Sequence, residues 1–90
     1  MHLNVQQTLQ QGVAAHKEGK LQLAERMYQA ILETHPLHPD ANHNLGVLAV
    51  SGNKCDVALR LFKTALEASP KTKQFWFSYI NMLVKEDQFE

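Results

Sequence analysis

The sequence predicts an all-α protein of five helices, folded as a stack of antiparallel helical hairpins. The first observation is an internal repeat at an offset of 34 residues, since a fixed period of about 20 to 50 residues is typical of stacked supersecondary units. The second is the recurrence of apolar residues at the helical period. The third is that glycine or proline stands where each of the first four helical patterns stops. The offset aligns Gly12 with Gly46, Ala24 with Ala58, Tyr28 with Phe62, Leu32 with Leu66 and Pro36 with Pro70.

Composition and charge limit the classes of function. The 90 residues make one small domain, residues 1–90, and 44% of them are hydrophobic, as in ordinary globular proteins. Nine Lys and Arg residues balance nine Asp and Glu residues, so neither nucleic acid nor an anionic membrane is expected as a partner. Cys55 is the single cysteine, and neither a membrane span nor a secretory signal is evident. We therefore expect a soluble, cytoplasmic protein without internal disulfides.

The first unit, residues 5–38, is interpreted as one helical hairpin. Asn4 is placed to cap the first helix, which the apolar spacing extends to about residue 18. Gly19 is expected to take the left-handed conformation that ends a helix. The second helix is predicted over residues 21–34. Pro36 closes the unit, because the residue before a proline is disfavoured in a helix.

The second unit, residues 39–72, follows the same order. Pro39 and Asp40 suit the first turn of the third helix, the proline because its missing N–H needs no partner there. A turn at residues 51–53 leads to the fourth helix. Asn53 is predicted to cap that helix, with Asp56 reaching back as in a capping box. Pro70 ends the unit.

The third unit, residues 73–90, is partial. A fifth helix is predicted from residue 73 to about residue 85. It is the most aromatic part of the chain and carries Phe75, Trp76, Phe77 and Tyr79. Residues 86–90 stand at the offset of the earlier turns, which gives about two and a half units in all.

Two glycines inside helices predict close packing within each hairpin. Gly12 and Gly46 lie mid-helix, where glycine costs about 0.5–1 kcal/mol relative to alanine, so a compensating contact is expected. The prediction is that they face Ala24 and Ala58 of the partner helices, and that aromatic residues fill the gap between hairpins.

In these features the chain resembles the tetratricopeptide repeat, a helix-turn-helix module of 34 residues. The positions that carry the resemblance are Gly12, Ala24, Tyr28 and Pro36 in the first unit and Leu45, Gly46, Ala58, Phe62, Ala65 and Pro70 in the second. Trp76 stands where the family usually has tryptophan, whereas Gln11 and Asn53 depart from the pattern. The resemblance implies a right-handed superhelix of hairpins. It extends to repeats of bacterial multi-repeat proteins, some of them fused to enzymes like the O-linked N-acetylglucosamine transferases.

The resemblance implies a binding scaffold rather than an enzyme, with a protein or peptide partner and no cofactor. In the family, the first helix of each repeat lines a concave groove. The positions that would line it include Gln10, Val13, His43, Asn44, Val47, Phe77 and Asn81, together with Gln6, Leu9, His16, Lys17, Val50, Gln74, Ser78 and Lys85. The amides among them suit a peptide backbone and the apolar side chains suit its side chains. The alternative is that these are ordinary solvated side chains.

Other groups of side chains that could bind a metal or react chemically are interpreted as structural or solvated. His35, His38 and His43 are close in sequence, but only Asp40 is near them as a further ligand, so solvated loop histidines are expected instead of a metal site. Cys55 begins the fourth helix and is expected to be packed and inert. No phosphate loop, nucleophile motif or paired-carboxylate site is present.

Three alternatives concern the partner. A clamp for a chaperone's C-terminal carboxylate is not favoured. Of the positions that form this clamp in the family, only Asn44 is retained. Self-association is a second possibility, since the fifth helix carries apolar residues without an obvious cover, namely Trp76, Ile80, Leu83 and Phe89. The third is that the chain is the N-terminal recognition part of a larger enzyme.

Overall fold

The computed structural model describes residues 4–87, which form five α-helices, arranged as two hairpins followed by a single helix. The helices are α1 (Val5–Lys17), α2 (Leu21–Thr34), α3 (Pro39–Ser51), α4 (Cys55–Ala68) and α5 (Lys73–Asp87). The helices α1 and α2 form one hairpin, α3 and α4 a second, and α5 packs on α4. The two hairpins meet where α2 packs on α3 and where α1 contacts α3. The prediction of an all-α stack of five helices is confirmed.

The helix ends follow the predicted signals in most places. The Asn4 side chain accepts a hydrogen bond from the Gln7 backbone N–H at 3.0 Å, which caps α1. Pro39 occupies the first turn of α3, as predicted. At the other end, α5 continues to Asp87, so residues 86 and 87 are helical where a turn was expected.

The turn between α3 and α4 corrects one prediction. Asn53 does not cap α4, because it has a positive φ of 60° and lies one residue before the cap position, which Lys54 takes without a side-chain hydrogen bond. Gly19 has φ 79° at the equivalent point after α1. The backbone N–H groups of Lys20 and Lys54 donate to the carbonyl oxygens of Ala15 and Ala49 at 2.9 and 2.8 Å. Both turns are therefore C-terminal caps of the same type, each with one residue in the left-handed conformation.

The glycine contacts also differ from the prediction. A Cβ built on Gly12 would stand 2.6 Å from Cε1 of Tyr28, and one on Gly46 would stand 2.6 Å from Cε1 of Phe62. Each glycine therefore makes room for the aromatic ring of its own hairpin. The nearest atoms over each glycine are therefore those of the ring, and not those of Ala24 or Ala58 as expected. The rings also pack on the next layer, as predicted, since Tyr28 clusters with Leu48 of α3 and Phe62 with Met82 of α5.

Three small clusters of buried side chains make the core. The first is in the first hairpin and at α3 (Ala15, Ala24, Tyr28, Leu48), the second joins the second hairpin to α5 (Ala49, Ala58, Phe62, Met82), and the third lies between α4 and α5 (Ala65, Leu66, Phe75). Cys55 is half-buried and packs against the second cluster. Among residues 4–87, none of the helices combines the length and apolar character needed to span a bilayer.

Candidate functional site

Two pockets open along the face formed by α1, α3 and α5, which we call the first-helix face. The α1–α3 pocket has a volume of 220 Å³ and is lined by Val13, His16, Lys17, Tyr28 and Asn44. The α3–α5 pocket has a volume of 230 Å³ and is lined by Val47, Val50, Ser51, Phe62, Ser78, Asn81, Met82 and Lys85. Nine of these residues are among those that the sequence assigned to a groove.

The predicted groove residues are distributed unequally over this face. Val13 and Asn44 are half-buried in the α1–α3 pocket, and Val47 is half-buried in the α3–α5 pocket. Asn81 is exposed at the α3–α5 pocket. Gln10 is exposed on α1, and the side chain of Phe77 is 66% exposed on α5; neither residue lines the two pockets.

His43 is a buried link between α3 and α5. Its Nε2 lies 2.8 Å from the Ser78 hydroxyl oxygen, and its ring stands against Phe62 and Phe75 with centroid distances of 5.4 and 4.9 Å. The residue is 4% exposed. The expectation of a solvated loop histidine is therefore wrong, and so is the assignment of His43 to the open groove surface. Sequence reasoning missed this role because its partner Ser78 lies 35 residues away.

Burial governs the ionisation of this histidine. Removal from water lowers the pKa of His43, while the Asn44 side chain and the charge of Asp40 act in the opposite direction. The ring Nδ1 faces the Oδ1 atom of Asn44 at 3.4 Å. This oxygen can only accept, so in the tautomer that makes this contact Nδ1 carries the proton and Nε2 accepts from the Ser78 hydroxyl. The Asn44 amide nitrogen is then the donor that remains for another partner.

The Tyr28 hydroxyl is buried without a hydrogen-bond partner in the described part of the chain. Its ring packs on Gly12, and the residue is 0% exposed, yet it lines the α1–α3 pocket beside Asn44. Burial raises the pKa of Tyr28, and a hydrogen-bonding interaction with the Asn44 side chain, too long to count as a regular hydrogen bond, acts against that shift. Sequence analysis assigned Tyr28 to packing alone. The equivalent residue, Phe62, has no hydroxyl, and this difference between the two units could have pointed to a further role for Tyr28.

One hydrogen bond recurs at both interunit turns, with different side chains as donors. The Asn42 side-chain amide donates to the carbonyl oxygen of Pro36 at 3.0 Å. The Trp76 indole N–H donates to the carbonyl oxygen of Pro70 at 2.6 Å. Asn42 and Trp76 are 34 residues apart, as are the two prolines. These bonds tie the start of a first helix to the preceding interunit turn, and Asn42 was missed because the two donors are chemically unlike.

The remaining sequence candidates have local roles. The His38 Nδ1 atom accepts from the Ala41 backbone N–H at 3.1 Å and caps α3, so His38 is not a solvated bystander. His35 is exposed, with Nδ1 2.8 Å from the Thr34 hydroxyl oxygen. Within residues 4–87 no group of three His, Cys, Asp or Glu side chains is arranged to hold a metal ion.

The outer side of α5 is strongly apolar. Its exposed side chains are Trp76 (45%), Phe77 (66%), Ile80 (51%), Leu83 (42%) and Val84 (50%). Phe89, which the sequence placed in the same patch, lies outside the described residues. A further pocket of 350 Å³ between α2 and the second hairpin is mainly aliphatic, with Leu21, Leu45, Leu48, Ala49, Val57 and Leu61 in its lining.

Comparison with known proteins agrees with this architecture. The family model described as "Tetratricopeptide repeat" matches twice, over residues 9–54 and 43–89. No curated protein matches the chain. Repeats of this family generally mediate protein–protein interactions and are typically non-catalytic. With two matches that together reach from residue 9 to residue 89, the chain belongs to the tetratricopeptide-repeat family.

Proposed function

We propose that the protein is a non-catalytic scaffold that holds an extended peptide of a partner protein across the first-helix face. Family membership supports a role in protein–protein interaction. The two pockets share α3, which presents Asn44 to the α1–α3 pocket and Val47 to the α3–α5 pocket. A chain lying across α3 would thus meet a polar and an apolar site in succession.

Asn44 is the observation that carries this proposal. It is half-buried in the α1–α3 pocket, and contact of its oxygen with His43 leaves the amide nitrogen as a donor. A fixed amide donor reads the carbonyl of a peptide backbone without regard to side-chain sequence. The described surface spans about two and a half units, so we expect a weak, transient interface below about 1,200 Å².

The test compares Asn44→Ala with Gln29→Ala, a matched amide truncation on the exposed side of α2. A photo-reactive residue at position 81, at the edge of the α3–α5 pocket, would cross-link partners that occupy the first-helix face. We expect Asn44→Ala to reduce cross-linking about tenfold, the loss of roughly one good hydrogen bond, and Gln29→Ala to leave it unchanged. Equal cross-linking in the two variants would contradict the groove proposal.

A second candidate function is self-association through the outer side of α5. Trp76, Ile80 and Leu83 are exposed, although the residues at equivalent offsets in α1 and α3 are buried beneath a partner helix. Those equivalents are Thr8, Gly12 and Ala15 in α1 and Asn42, Gly46 and Ala49 in α3. Because Ile80 carries a side chain where the glycines accept an aromatic ring, a hairpin partner of the same kind does not fit there. A second copy of α5 is an alternative cover.

Sedimentation velocity over a range of concentrations tests this candidate. Self-association predicts a concentration-dependent dimer that Ile80→Glu abolishes and that Gln29→Glu, on the exposed side of α2, leaves intact. A monomer at the highest concentration reached would remove support for this role. The result is independent of the cross-linking experiment, since Ile80 lines neither pocket of the first-helix face.

A further inference from the structure

An apolar cleft lies between α2 and the second hairpin, and we call it the α2–α4 cleft. It has a volume of 350 Å³, and its aliphatic lining includes Leu21, Leu45, Val57 and Leu61. Its walls come from the first halves of α2 and α4, and its floor comes from the second half of α3. The helices α2 and α4 therefore run in the same direction and α3 in the opposite one. No residue of α1 or α5 lines the cleft in the described part of the chain.

One wall of this cleft carries a carboxylate without a cation. Glu25 of α2 is half-buried in the lining. Within residues 4–87 it takes no part in a salt bridge, and the one found there joins Lys20 to Glu18 at 3.1 Å. The equivalent residue of α4 is Leu59, which packs on the second core cluster. A carboxylate that loses part of its hydration gains from a cation beside it. The cleft is thus complementary to an apolar occupant that brings a positive charge.

The outer side of α5 has this character. Trp76, Ile80 and Leu83 recur at helical spacing and are 45%, 51% and 42% exposed. Lys73 belongs to the same stripe, because it stands about two helical turns before Ile80, and it is exposed. The opposite face of α5 is buried against the second hairpin. The outer side can therefore enter only the cleft of another copy.

We propose that the α2–α4 cleft of one copy receives the outer side of α5 from a second copy, with Ile80 in the aliphatic lining and Lys73 beside Glu25. This inference rests on the second candidate function, self-association through α5, and names the surface that receives the helix. In this contact α5 runs antiparallel to α2 and α4. Its C-terminal end then lies near Lys54, which suits the negative end of the helix dipole.

The contact is head-to-tail, because it joins two different surfaces of the chain. Each copy gives α5 to one neighbour and its cleft to another, so association continues beyond a dimer. One contact of this kind covers both apolar surfaces at once. A symmetric α5–α5 contact stops at a dimer and leaves the cleft exposed.

Two variants that each remove one surface test the proposal. Ile80→Glu places a carboxylate on α5. Leu21→Glu places one in the cleft, at a residue that is 44% exposed in the first turn of α2, where an acid suits the helix dipole. Each should weaken self-association of its own chain more than about tenfold in sedimentation velocity, since a carboxylate in an apolar contact loses its water. Mixed together they should form a complex of one copy of each, because the first keeps the cleft and the second keeps α5.

Charge reversal tests the orientation of α5 in the cleft. Glu25→Lys should weaken self-association about threefold, as for a partly exposed ion pair. Lys73→Glu in the same chain should restore it, because every contact then pairs the reversed charges. Lys63→Glu, at an exposed position on α4, is the control that should leave association unchanged. Gln29 is not used for this purpose because it lines the cleft.

The outcomes separate this inference from the functions on which it builds. Self-association of Leu21→Glu at wild-type strength would overturn the cleft and leave the symmetric α5 dimer. Absence of a complex in the mixture, with both variants helical by circular dichroism, would also overturn it. If Leu21→Glu does not fold, failure of Lys73→Glu to rescue Glu25→Lys has the same meaning. A monomeric wild type would assign the cleft to a different protein and overturn both modes of self-association. The groove proposal is untouched by these results, since neither Leu21 nor Ile80 lines the pockets of the first-helix face.

Discussion

The Nε2 atom of His43 and the hydroxyl oxygen of Ser78 lie 2.8 Å apart and join α3 to α5. The imidazole is enclosed by the rings of Phe62 and Phe75 and by the side chain of Asn44, which links this buried contact to the first-helix face. One titratable side chain thus links α5 to α3, the helix that both pockets share. Its protonation state should be visible in the stability of the whole stack.

Acid should destabilise the protein through His43. Burial lowers the pKa of His43 in the folded state, while the unfolded chain keeps a value of about 6.5. Folding therefore favours the neutral ring, and this contribution to stability is fully present above about pH 6.5. It is lost as the pH falls from there through the folded pKa. Urea unfolding between about pH 7.5 and pH 5 should show the loss, and NMR titration should give a folded pKa below about 6.5.

Histidine variants provide the control for this pH dependence. His43→Gln should lower stability at neutral pH but flatten its dependence between about pH 7.5 and pH 5, because the variant lacks the group whose pKa differs between the folded and unfolded states. His35→Gln, at an exposed site, should keep the wild-type slope. A slope that is the same in both variants would show that His43 is not responsible.

Alanine at Gly46 should destabilise the second hairpin. The added Cβ would stand 2.6 Å from Cε1 and 2.7 Å from Cδ1 of Phe62. Overpacking of this kind costs about 1–3 kcal/mol, and the helix gains about 0.5–1 kcal/mol from losing glycine, so a net loss of about 1–2 kcal/mol is expected. Gly52→Ala is the control, because its Cβ would stand 3.7 Å from the nearest atom and its φ is −92°. Denaturant unfolding of both variants measures the difference.

Removing the Tyr28 hydroxyl should stabilise the free protein. Tyr28→Phe retains the ring and deletes a buried group without a partner, so the free energy of unfolding should rise by about 1 kcal/mol. Tyr79→Phe, at a half-buried position, should change it by less than about 0.5 kcal/mol. Thermal and urea unfolding of the two variants provide the comparison. A destabilised Tyr28→Phe would mean that the hydroxyl has a partner in solution.

The left-handed turns should respond alike to alanine. Asn53 and Gly19 have φ values of 60° and 79°, where a residue with a Cβ pays about 1–2 kcal/mol unless it is Asn or Asp. Asn53→Ala and Gly19→Ala should each lower the free energy of unfolding by about 1 kcal/mol, whereas Asn53→Gly should be neutral or stabilising. Loss of stability in Asn53→Gly would show that the Asn53 side chain has a role beyond its backbone conformation. Urea unfolding of the three variants measures these effects.

The sequence was sufficient for the order of the helices and for most of their ends, the end of α5 excepted. The prediction for α2 matches its ends at Leu21 and Thr34, because Gly19 and Pro36 set those ends through backbone sterics alone. The prediction failed at Asn53, where two physical preferences of one residue compete. Asparagine suits both a helix N-cap and a left-handed turn, and the offset from Gly19 decides for the turn.

The candidate site was less predictable because it depends on contacts between units. Helical periodicity places Tyr28 and Gly12 on facing helices, but it does not say that the ring occupies the glycine's space. The burial of His43 depends on Ser78 and on two phenylalanines of other helices. Asn44 was found from family resemblance, whereas the unpaired hydroxyl beside it becomes visible only when its neighbours are in place.

The order of helix contacts has a kinetic consequence. Each helix packs chiefly on the helices next to it in the chain, and α1 with α3 is a modest exception. Forming such contacts closes only short loops, so little chain entropy is lost before stabilising contacts appear. Folding should therefore be rapid, and either hairpin could serve as the starting point from which order spreads to its neighbour. The 34-residue repeat is in this sense also the unit of the folding reaction.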